Sequence, residues 1–428
     1  MLALVLIGFQ PASAGTFLTN APMNFARRAH SATLLLDGKV LVAAGEGTNG
    51  GYLPNAERFD PATGVWLATG ALTNQRAFHT ATLLPNGKVL VAGGVHLESA
   101  ELYDPVSGTW TKTGSMLTAR FRHTATLLSN GKVLVAGGND QFDNSTSMAE
   151  LYDPATGIWT ETGAMNGARW RHSATLLPDG KVLVAGGGAL ISGFNFSVLS
   201  STETYDPVTE TWTTNAPLST ARFDQTSTLL ANGKVLLTGG FDNANSLSST
   251  EIFDPGTGVW TGGGALNARR DIPQTTLLPD GTLLITGGLD GSNYLSSAEI
   301  YNPVTGNWSN QGAMSAGRWQ HTATLLGNGK VLLAGGYDGA QLASTELYDS
   351  GSGSATNGRV QVTIIPAGAV AAGAQWRVDG GPLQISGAVV TNLSGGNHVV
   401  SFTTISGWST PSDQILSVVS TAAITNKV

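Results

Sequence analysis

Two carboxylates, Asp224 and Asp271, occupy related places in two successive copies of a repeated sequence. Each lies in a two-residue segment between an arginine and the position that holds histidine in most copies, which is Gln225 or Pro273 in these two. Acid–base cleavage of a glycosidic bond needs a pair of carboxyl groups, one on each side of the reacting centre. Asp224 and Asp271 are the one plausible pair in the sequence, so any catalytic hypothesis depends on them.

The same two-residue segment varies from copy to copy and is rich in aromatic and polar side chains. Aromatic faces beside a few polar groups suit sugar rings or a peptide. We therefore predict a ligand site, with Phe194 and Phe196 added from the longest loop. Its members are Phe121, Arg122, Trp170, Arg171, Phe223, Asp224, Asp271, Trp319 and Gln320. The alternative is that these aromatic side chains only pack between repeats.

Composition excludes several kinds of chemistry. The chain of 428 residues has no cysteine, so it has no disulfide, thiolate metal site or cysteine nucleophile. A formal net charge of −7 argues against a nucleic-acid partner, which needs a basic surface. We expect neither a metal nor a cofactor.

Short strands must position the variable segments. The fullest copy of the repeat reads Arg120-Phe-Arg-His-Thr-Ala-Thr-Leu-Leu, then Asn130-Gly-Lys-Val-Leu-Val-Ala-Gly-Gly138, then Glu150-Leu-Tyr-Asp-Pro-Ala-Thr-Gly-Ile-Trp159. Two runs of alternating, β-branched side chains joined by Asn-Gly indicate a β-hairpin. The sequence Asp-Pro-x-Thr-Gly indicates a turn that leads to a fourth strand. Four antiparallel strands in units of about 44 to 53 residues predict an all-β propeller.

The Gly-Gly doublet, the Tyr-Asp-Pro turn and the tryptophan at fixed spacing resemble the kelch family over residues 16–349. The resemblance is to the galactose-oxidase-like propellers of bacterial secreted proteins. It implies a propeller with one blade per repeat, seven in all. It also implies that the variable segments lie where the innermost strands begin, near the mouth of the central channel. Some kelch relatives are copper radical oxidases that need a Tyr–Cys cross-link, and the lack of cysteine excludes that chemistry here.

The two ends of the repeat region predict how the ring closes. The last repeat reaches Asp349 without a tryptophan strand, whereas Phe17 stands ten residues before Arg27 as Trp110 stands before Arg120. We therefore expect the N-terminal segment to supply the outer strand of the last blade, which removes an exposed sheet edge.

Residues that recur in every copy are predicted to be scaffold. Seven arginines and seven glutamates, one of each per repeat, are expected to form buried ion pairs; they are Arg27, Arg76, Arg120, Arg169, Arg222, Arg270, Arg318, Glu57, Glu101, Glu150, Glu203, Glu251, Glu299 and Glu346. The alternative for these charges is a substrate site. The five recurrent histidines, His30, His79, His123, His172 and His321, are expected to make structural hydrogen bonds rather than ligate one metal ion.

The regions outside the repeats complete the predicted organisation. Residues 1–14 have the apolar run and small-residue cleavage site of a signal peptide, so we expect an exported protein, secreted or at the cell surface. The propeller spans 15–349, a Gly/Ser linker spans 350–358, and alternating strands over 359–428 predict a small Ig-like β-sandwich. No segment has the length of a transmembrane helix.

The functional prediction is a secreted, non-catalytic and monomeric propeller that binds carbohydrate or an extracellular protein. Its site is expected on the face with the loops between the second and third strands, because variation on a fixed scaffold is where binding is usually found. One alternative is an enzyme acting on a sugar or polysaccharide (a hydrolase, lyase or mutarotase) through Asp224 and Asp271. A second alternative is a purely structural adhesin.

Overall fold

The computed structural model describes residues 15–192, 195–350, 358–363, 370, 372–385, 389–393, 396–405, 414–418 and 424–427. Within these the chain forms two compact units: one contains Thr16–Leu277 and Thr282–Tyr348, and the other contains the residues from Asp349 onward. The predicted signal peptide and residues 351–357 of the predicted linker lie outside the described residues, so these boundaries stay predictions. In the described part of the chain no helix is long and apolar enough to cross a membrane.

The first unit is built from short strands in four-stranded sheets. The first seventeen strands are β1 (Thr16–Asn20), β2 (Ser31–Leu34), β3 (Val40–Ala43), β4 (Ala56–Asp60), β5 (Val65–Thr69), β6 (Thr80–Leu83), β7 (Val89–Ala92), β8 (Ala100–Asp104), β9 (Thr109–Lys112), β10 (Thr124–Leu127), β11 (Val133–Ala136), β12 (Ala149–Asp153), β13 (Ile158–Thr162), β14 (Ser173–Leu176), β15 (Val182–Ala185), β16 (Gly188–Ser192) and β17 (Asn195–Val198).

The remaining strands of this unit repeat the pattern, with two longer strands in the fifth repeat. They are β18 (Thr202–Asp206), β19 (Thr211–Thr214), β20 (Thr226–Leu229), β21 (Val235–Thr238), β22 (Leu247–Asp254), β23 (Val259–Arg270), β24 (Gln274–Leu277), β25 (Leu283–Thr286), β26 (Leu289–Asp290), β27 (Asn293–Tyr294), β28 (Ser297–Asn302), β29 (Asn307–Ala313), β30 (Thr322–Leu325), β31 (Val331–Ala334) and β32 (Thr345–Asp349).

These strands form seven four-stranded sheets, which we number 1 to 7 in chain order. Sheets 1 to 6 are β2-β3-β4-β5, β6-β7-β8-β9, β10-β11-β12-β13, β14-β15-β18-β19, β20-β21-β22-β23 and β24-β25-β28-β29. The innermost strand of each sheet contacts those of its two neighbours, and β30 of sheet 7 contacts β2 of sheet 1. The sheets therefore close into a ring, and the prediction of an all-β, multi-bladed propeller is confirmed.

Sheet 7 is completed by the N-terminal strand. Its order is β1-β32-β31-β30, and the ring of Phe17 lies 5.0 Å from that of Tyr348, the same separation as Tyr103 and Trp110 in sheet 2. The Asn20 side chain also donates a hydrogen bond to the Thr345 hydroxyl at 3.3 Å. The predicted closure by the N-terminal outer strand is confirmed.

The core lies between adjacent sheets. The second strand of each repeat, such as Val133–Ala136, is buried at every position, because a neighbouring sheet covers each of its faces. Leu90 of sheet 2, for example, belongs to one apolar cluster with Val135 and Tyr152 of sheet 3. Burial of both faces explains why these strands are continuously apolar, whereas the innermost strands alternate.

The second unit contains β33 (Gly358–Thr363), β34 (Gln375–Val378), β35 (Gln384–Ile385), β36 (Val389–Leu393), β37 (Gly396–Phe402), β38 (Gln414–Val418) and β39 (Ile424–Lys427). They form two sheets, β36-β33-β39 and β35-β34-β37-β38. Trp376 is fully buried, and its indole N–H donates to the carbonyl of Ile385 at 3.0 Å. An all-β unit is therefore present, and its arrangement as a sandwich stays a prediction.

Candidate functional site

Each variable segment begins at a buried arginine whose side chain is held in place by its own sheet. In sheet 3 the Arg120 guanidinium donates to the carbonyls of Gly137 and Met148 at 3.1 and 3.0 Å and pairs with Glu150. All seven recurrent arginines make the equivalent pair with the recurrent glutamate of the same repeat. The prediction of buried, paired scaffold charges is confirmed, and these groups are not free to bind a ligand.

The recurrent histidine that ends five of the seven segments joins adjacent sheets. His79 shares a hydrogen bond with the Ser31 hydroxyl at 2.9 Å, and His123 shares one with Thr80 at 3.0 Å. Burial, reinforced by the nearby arginines, lowers the pKa of His79 and His172 to about 3, so these rings are neutral. The histidines are structural, as predicted.

Between these anchors, the second residue of every segment adopts the left-handed backbone conformation, with φ between 49° and 56°. In six of these residues, all except Gln320, the N–H donates to the carbonyl of the equivalent residue in the preceding repeat; Arg171 donates to Arg122 at 3.1 Å and Asp224 donates to Arg171 at 3.0 Å. We call these seven residues the central ring: Ala29, Phe78, Arg122, Arg171, Asp224, Ile272 and Gln320. Because main-chain groups hold it together, the ring leaves its side chains free for another purpose.

All seven side chains of the central ring line one cavity of about 290 Å³. Four scaffold histidines and the first residues of two innermost strands, Gln274 and Thr322, complete its wall. The first residues of the variable segments, among them Trp170, Asp271 and Trp319, are not part of the wall. The sequence prediction singled out the segment that lines this cavity, but it treated the two positions as equivalent and did not include Ala29, Phe78 and Ile272.

Two arginines and one aspartate dominate the cavity wall. Arg171 forms an ion pair with Asp224. Arg122 has no ion pair with a carboxylate in the described part of the chain; its guanidinium lies 4.6 Å from the ring centre of Phe78 and 5.6 Å from that of Trp170. Burial and the neighbouring Arg171 lower the pKa of Arg122 to about 10, so it stays charged at neutral pH. The wall therefore holds a cation without an anionic partner.

The two candidate catalytic carboxyl groups differ in position and in environment. Asp224 lines the cavity; burial raises its pKa, and the charge of Arg171 opposes that rise. Asp271 lies outside the wall. Its pKa is raised to about 8, mainly by burial and secondly by repulsion from Asp224. One oxygen of Asp271 is buried without a hydrogen bond among the described residues. The pair interacts electrostatically, but only one member reaches the cavity.

The predicted aromatic platform is a packed cluster. Phe196 and Phe223 each lie 5.7 Å from the ring of Trp170, and Phe241 joins them 5.6 Å from Phe223. Phe121 and Phe223 are only 5% and 6% exposed, so the expectation that these two present open faces is wrong. Their rings are covered because they pack against neighbouring repeats. Phe194 lies outside the described residues.

A second aromatic group surrounds Trp319. Tyr337 lies 6.2 Å from its ring, and Tyr294 lies 5.7 Å from that of Tyr337. The Arg28 guanidinium stacks 4.6 Å from Tyr337 and forms a 2.7 Å ion pair with Glu46. Trp319 was among the predicted site residues and the two tyrosines were not. The available clue was that Tyr337 directly follows a Gly-Gly doublet and that Tyr294 lies in the loop after another.

The described residues contain no group of three or more histidine, cysteine, aspartate or glutamate side chains placed to hold a metal ion. The histidines of the cavity wall already share hydrogen bonds with neighbouring strands; His321, for example, shares one with the Thr286 hydroxyl at 3.0 Å. The chain also has no cysteine for a Tyr–Cys cross-link. The residues present therefore do not fit a copper radical centre.

A closed ring of four-stranded sheets around a polar central cavity defines this chain as a β-propeller. It contains kelch repeats: the model of the kelch motif matches residues 120–166, 225–266 and 275–315. No curated protein matches the sequence. Among solved structures, a fungal alcohol oxidase of the AA5 family in complex with copper is similar with a TM-score of 0.68 and 16% identity, covering 95% of this chain and 100% of that chain. At this identity the likeness extends to the fold alone.

Proposed function

We propose that this protein is an exported, monomeric and non-catalytic propeller that binds carbohydrate in its central cavity. The observation that carries the proposal is a contrast between scaffold and cavity. Each recurrent arginine forms an ion pair with the glutamate of its own repeat, whereas in the described residues the Arg122 guanidinium of the cavity wall has no carboxylate partner and a buried Gln320 oxygen has no hydrogen bond. Buried polar groups without partners favour a ligand that supplies them.

The chemistry of the wall favours a polyhydroxylated ligand. Arginine, aspartate and glutamine side chains offer donors and acceptors in fixed planes, which match the neighbouring hydroxyl groups of a sugar. The volume of about 290 Å³ is close to the lower limit of ligand sites, which range over roughly 300–1,000 Å³, so it accepts a short saccharide rather than a folded partner. Partly exposed Trp170 and Trp319, just outside the wall, are placed to contact further sugar units.

Binding of an extracellular protein is the second candidate for the same face. The loops between second and third strands differ in length between repeats, and one of them exposes Phe142. Such a partner would bind the loops and not the cavity. A purely structural adhesin would use neither.

Catalysis is favoured by one specific observation, the raised pKa of Asp271 beside Asp224, because a protonated acid and an ionised base at one site can cleave a glycosidic bond. The position of Asp271 outside the cavity wall and the pairing of Asp224 with Arg171 argue against it. Turnover of any glycan that Asp224→Asn abolishes would establish the enzyme and overturn the binding-only proposal.

The direct test is a glycan array followed by calorimetry. Gln320→Ala removes a cavity side chain and places there the residue that Ala29 already provides in sheet 1. Gln384→Ala, in the other compact unit, is the matched control. We expect the wild type and the control to bind the same glycans, and Gln320→Ala to bind about tenfold more weakly, which corresponds to about 1.4 kcal/mol. Equal binding by all three proteins, or binding of no glycan, would contradict the proposal.

A further inference from the structure

We infer that the carbohydrate is acidic: the central cavity takes the carboxylate of a uronic acid residue, and Arg122 is the group that binds it. This inference rests on the proposed carbohydrate-binding function and adds the chemical class of the ligand.

The charge of the cavity wall is the first argument. The wall contains the guanidinium groups of Arg122 and Arg171 and one carboxyl group, that of Asp224, which forms an ion pair with Arg171. The four histidines of the wall are neutral, because burial lowers the pKa of each. The wall therefore has one positive charge in excess, although the whole chain has a net charge of −7. A ligand with one negative charge neutralises this excess in a partly buried site, where an unpaired charge is costly.

The surroundings of Arg122 are the second argument. The rings of Phe78, Phe121 and Trp170 lie 4.6, 5.5 and 5.6 Å from its guanidinium carbon, so three aromatic side chains hold the group at the wall. A guanidinium held in this way presents its planar donors to a carboxylate without first losing side-chain freedom. Arg171 has a similar aromatic contact, 4.9 Å from Trp170, but Asp224 already pairs with it.

The rest of the wall favours a sugar carboxylate over other anions. Asp224 lies close enough to contribute to the charge environment of Arg122, and it repels a doubly charged phosphate about twice as strongly as a singly charged carboxylate. A carboxylate also neutralises the one excess positive charge of the wall, whereas a doubly charged phosphate would leave a negative excess. Gln320, Gln274 and Thr322 provide both donors and acceptors around the cation. A sugar ring has hydroxyl groups on several carbons to use them, whereas the side chain of an acidic peptide has only its carboxylate.

The repeats themselves provide a conservative variant. Gln320 occupies in sheet 7 the position that Arg122 occupies in sheet 3, with φ of 52° and 55° respectively. Arg122→Gln therefore introduces a side chain that this backbone conformation already carries elsewhere in the ring. Arg58→Gln is the matched control, because Arg58 pairs with Asp37 away from the cavity wall.

The experiment compares an oligouronate with the same oligosaccharide after its carboxyl groups are reduced to alcohols. Calorimetry is performed with the wild type, Arg122→Gln and Arg58→Gln at low and at high salt. We expect the wild type and Arg58→Gln to bind the oligouronate at least tenfold more tightly than the reduced sugar, with a preference that declines as salt increases. Arg122→Gln should lose this preference and bind the reduced sugar as the wild type does.

Each contrary outcome has a separate meaning. Equal affinity of the wild type for both sugars would overturn the acidic-ligand inference and leave carbohydrate binding intact. Binding of neither sugar, nor of any glycan on the array, would overturn the proposed function itself. Tighter binding of a sulfated neutral oligosaccharide or of an oligoglutamate peptide than of the oligouronate would refute the uronic acid assignment. A preference that survives in Arg122→Gln would refute the role of Arg122.

Discussion

The aromatic ring of Phe17 lies 5.0 Å from the ring of Tyr348, although the two residues stand at opposite ends of the repeat region. The corresponding aromatic pairs of the other sheets join neighbouring strands of one hairpin, as Tyr152 and Trp159 do at 5.0 Å. In sheet 7 the same contact is made between the first and the last strand of the repeat region. This contact and the pairing of β1 with β32 close the propeller.

Phe17→Ala should therefore destabilise the whole propeller. We expect a loss of about 2 kcal/mol in the free energy of unfolding, because a partly buried aromatic side chain is removed from the closing contact. Urea unfolding followed by tryptophan fluorescence measures it. Leu18→Ala, in the same strand but 46% exposed, is the control and should change little. Equal effects of the two substitutions would contradict closure through Phe17.

Loss of one buried ion-pair partner should have a larger effect. Glu101 accepts hydrogen bonds from the backbone of Thr73 at 2.8 Å and from Arg76 at 2.9 Å. Glu101→Gln leaves a buried guanidinium without its counter-charge, so we expect a loss of about 3–5 kcal/mol in chemical denaturation. Asp37→Asn disrupts the more exposed pair with Arg58 and should cost about 0–1 kcal/mol. A small effect of Glu101→Gln would show that the recurrent charges do not stabilise the sheets.

The buried histidines predict acid sensitivity. Burial lowers the pKa of His172 to about 3, below the usual histidine value of 6.5, so the unfolded chain binds more protons than the folded one between these values. Stability should therefore fall as the pH falls from about 6.5 towards 3. His172→Gln, which copies Gln225 of the next sheet, should make this decline shallower. His96→Gln, which replaces a histidine on an exposed loop, is the matched control. Thermal melts at several pH values measure how steeply stability declines with pH. An identical decline in the wild type and His172→Gln would refute the prediction.

The buried carboxyl group of Asp271 predicts that stability depends on pH with the opposite sign. Its pKa is raised from 3.8 to about 8, so between these values the folded state holds a proton that the unfolded state has released. Its contribution to stability is thus lost as the pH rises through this range. Asp271→Asn stays neutral and should be more stable than the wild type at pH 9, by an amount on the order of a few kcal/mol, and similar to it at pH 4. Asp290→Asn is the control. A stability gain that does not depend on pH would contradict the assignment.

The repeated features of the fold could be predicted from the sequence because they are local. Asn-Gly turns, alternating strands and the recurrence of Arg120 with Glu150 each lie within one repeat, and repetition distinguished them from chance. The match of Phe17 to the missing tryptophan depended on the same comparison. These predictions agree with the structure because neighbouring repeats impose the same environment on equivalent residues.

The site was only partly predictable because it depends on backbone conformation. In the segment Phe121-Arg122 the second residue is left-handed, so successive side chains separate: Phe121 is buried between repeats while Arg122 lines the cavity. No feature of composition distinguishes these two positions. The raised pKa of Asp271 also depends on Asp224 of another sheet, a contact that only the assembled ring creates.

The main-chain hydrogen bonds of the central ring have a consequence for evolution and design. Its seven positions tolerate alanine, phenylalanine, arginine, aspartate, isoleucine and glutamine at nearly the same φ. Under the proposed function, ligand specificity is therefore set by side chains that the hydrogen-bonded ring does not need for folding. A combinatorial library restricted to these seven codons should yield folded propellers with altered ligand preferences.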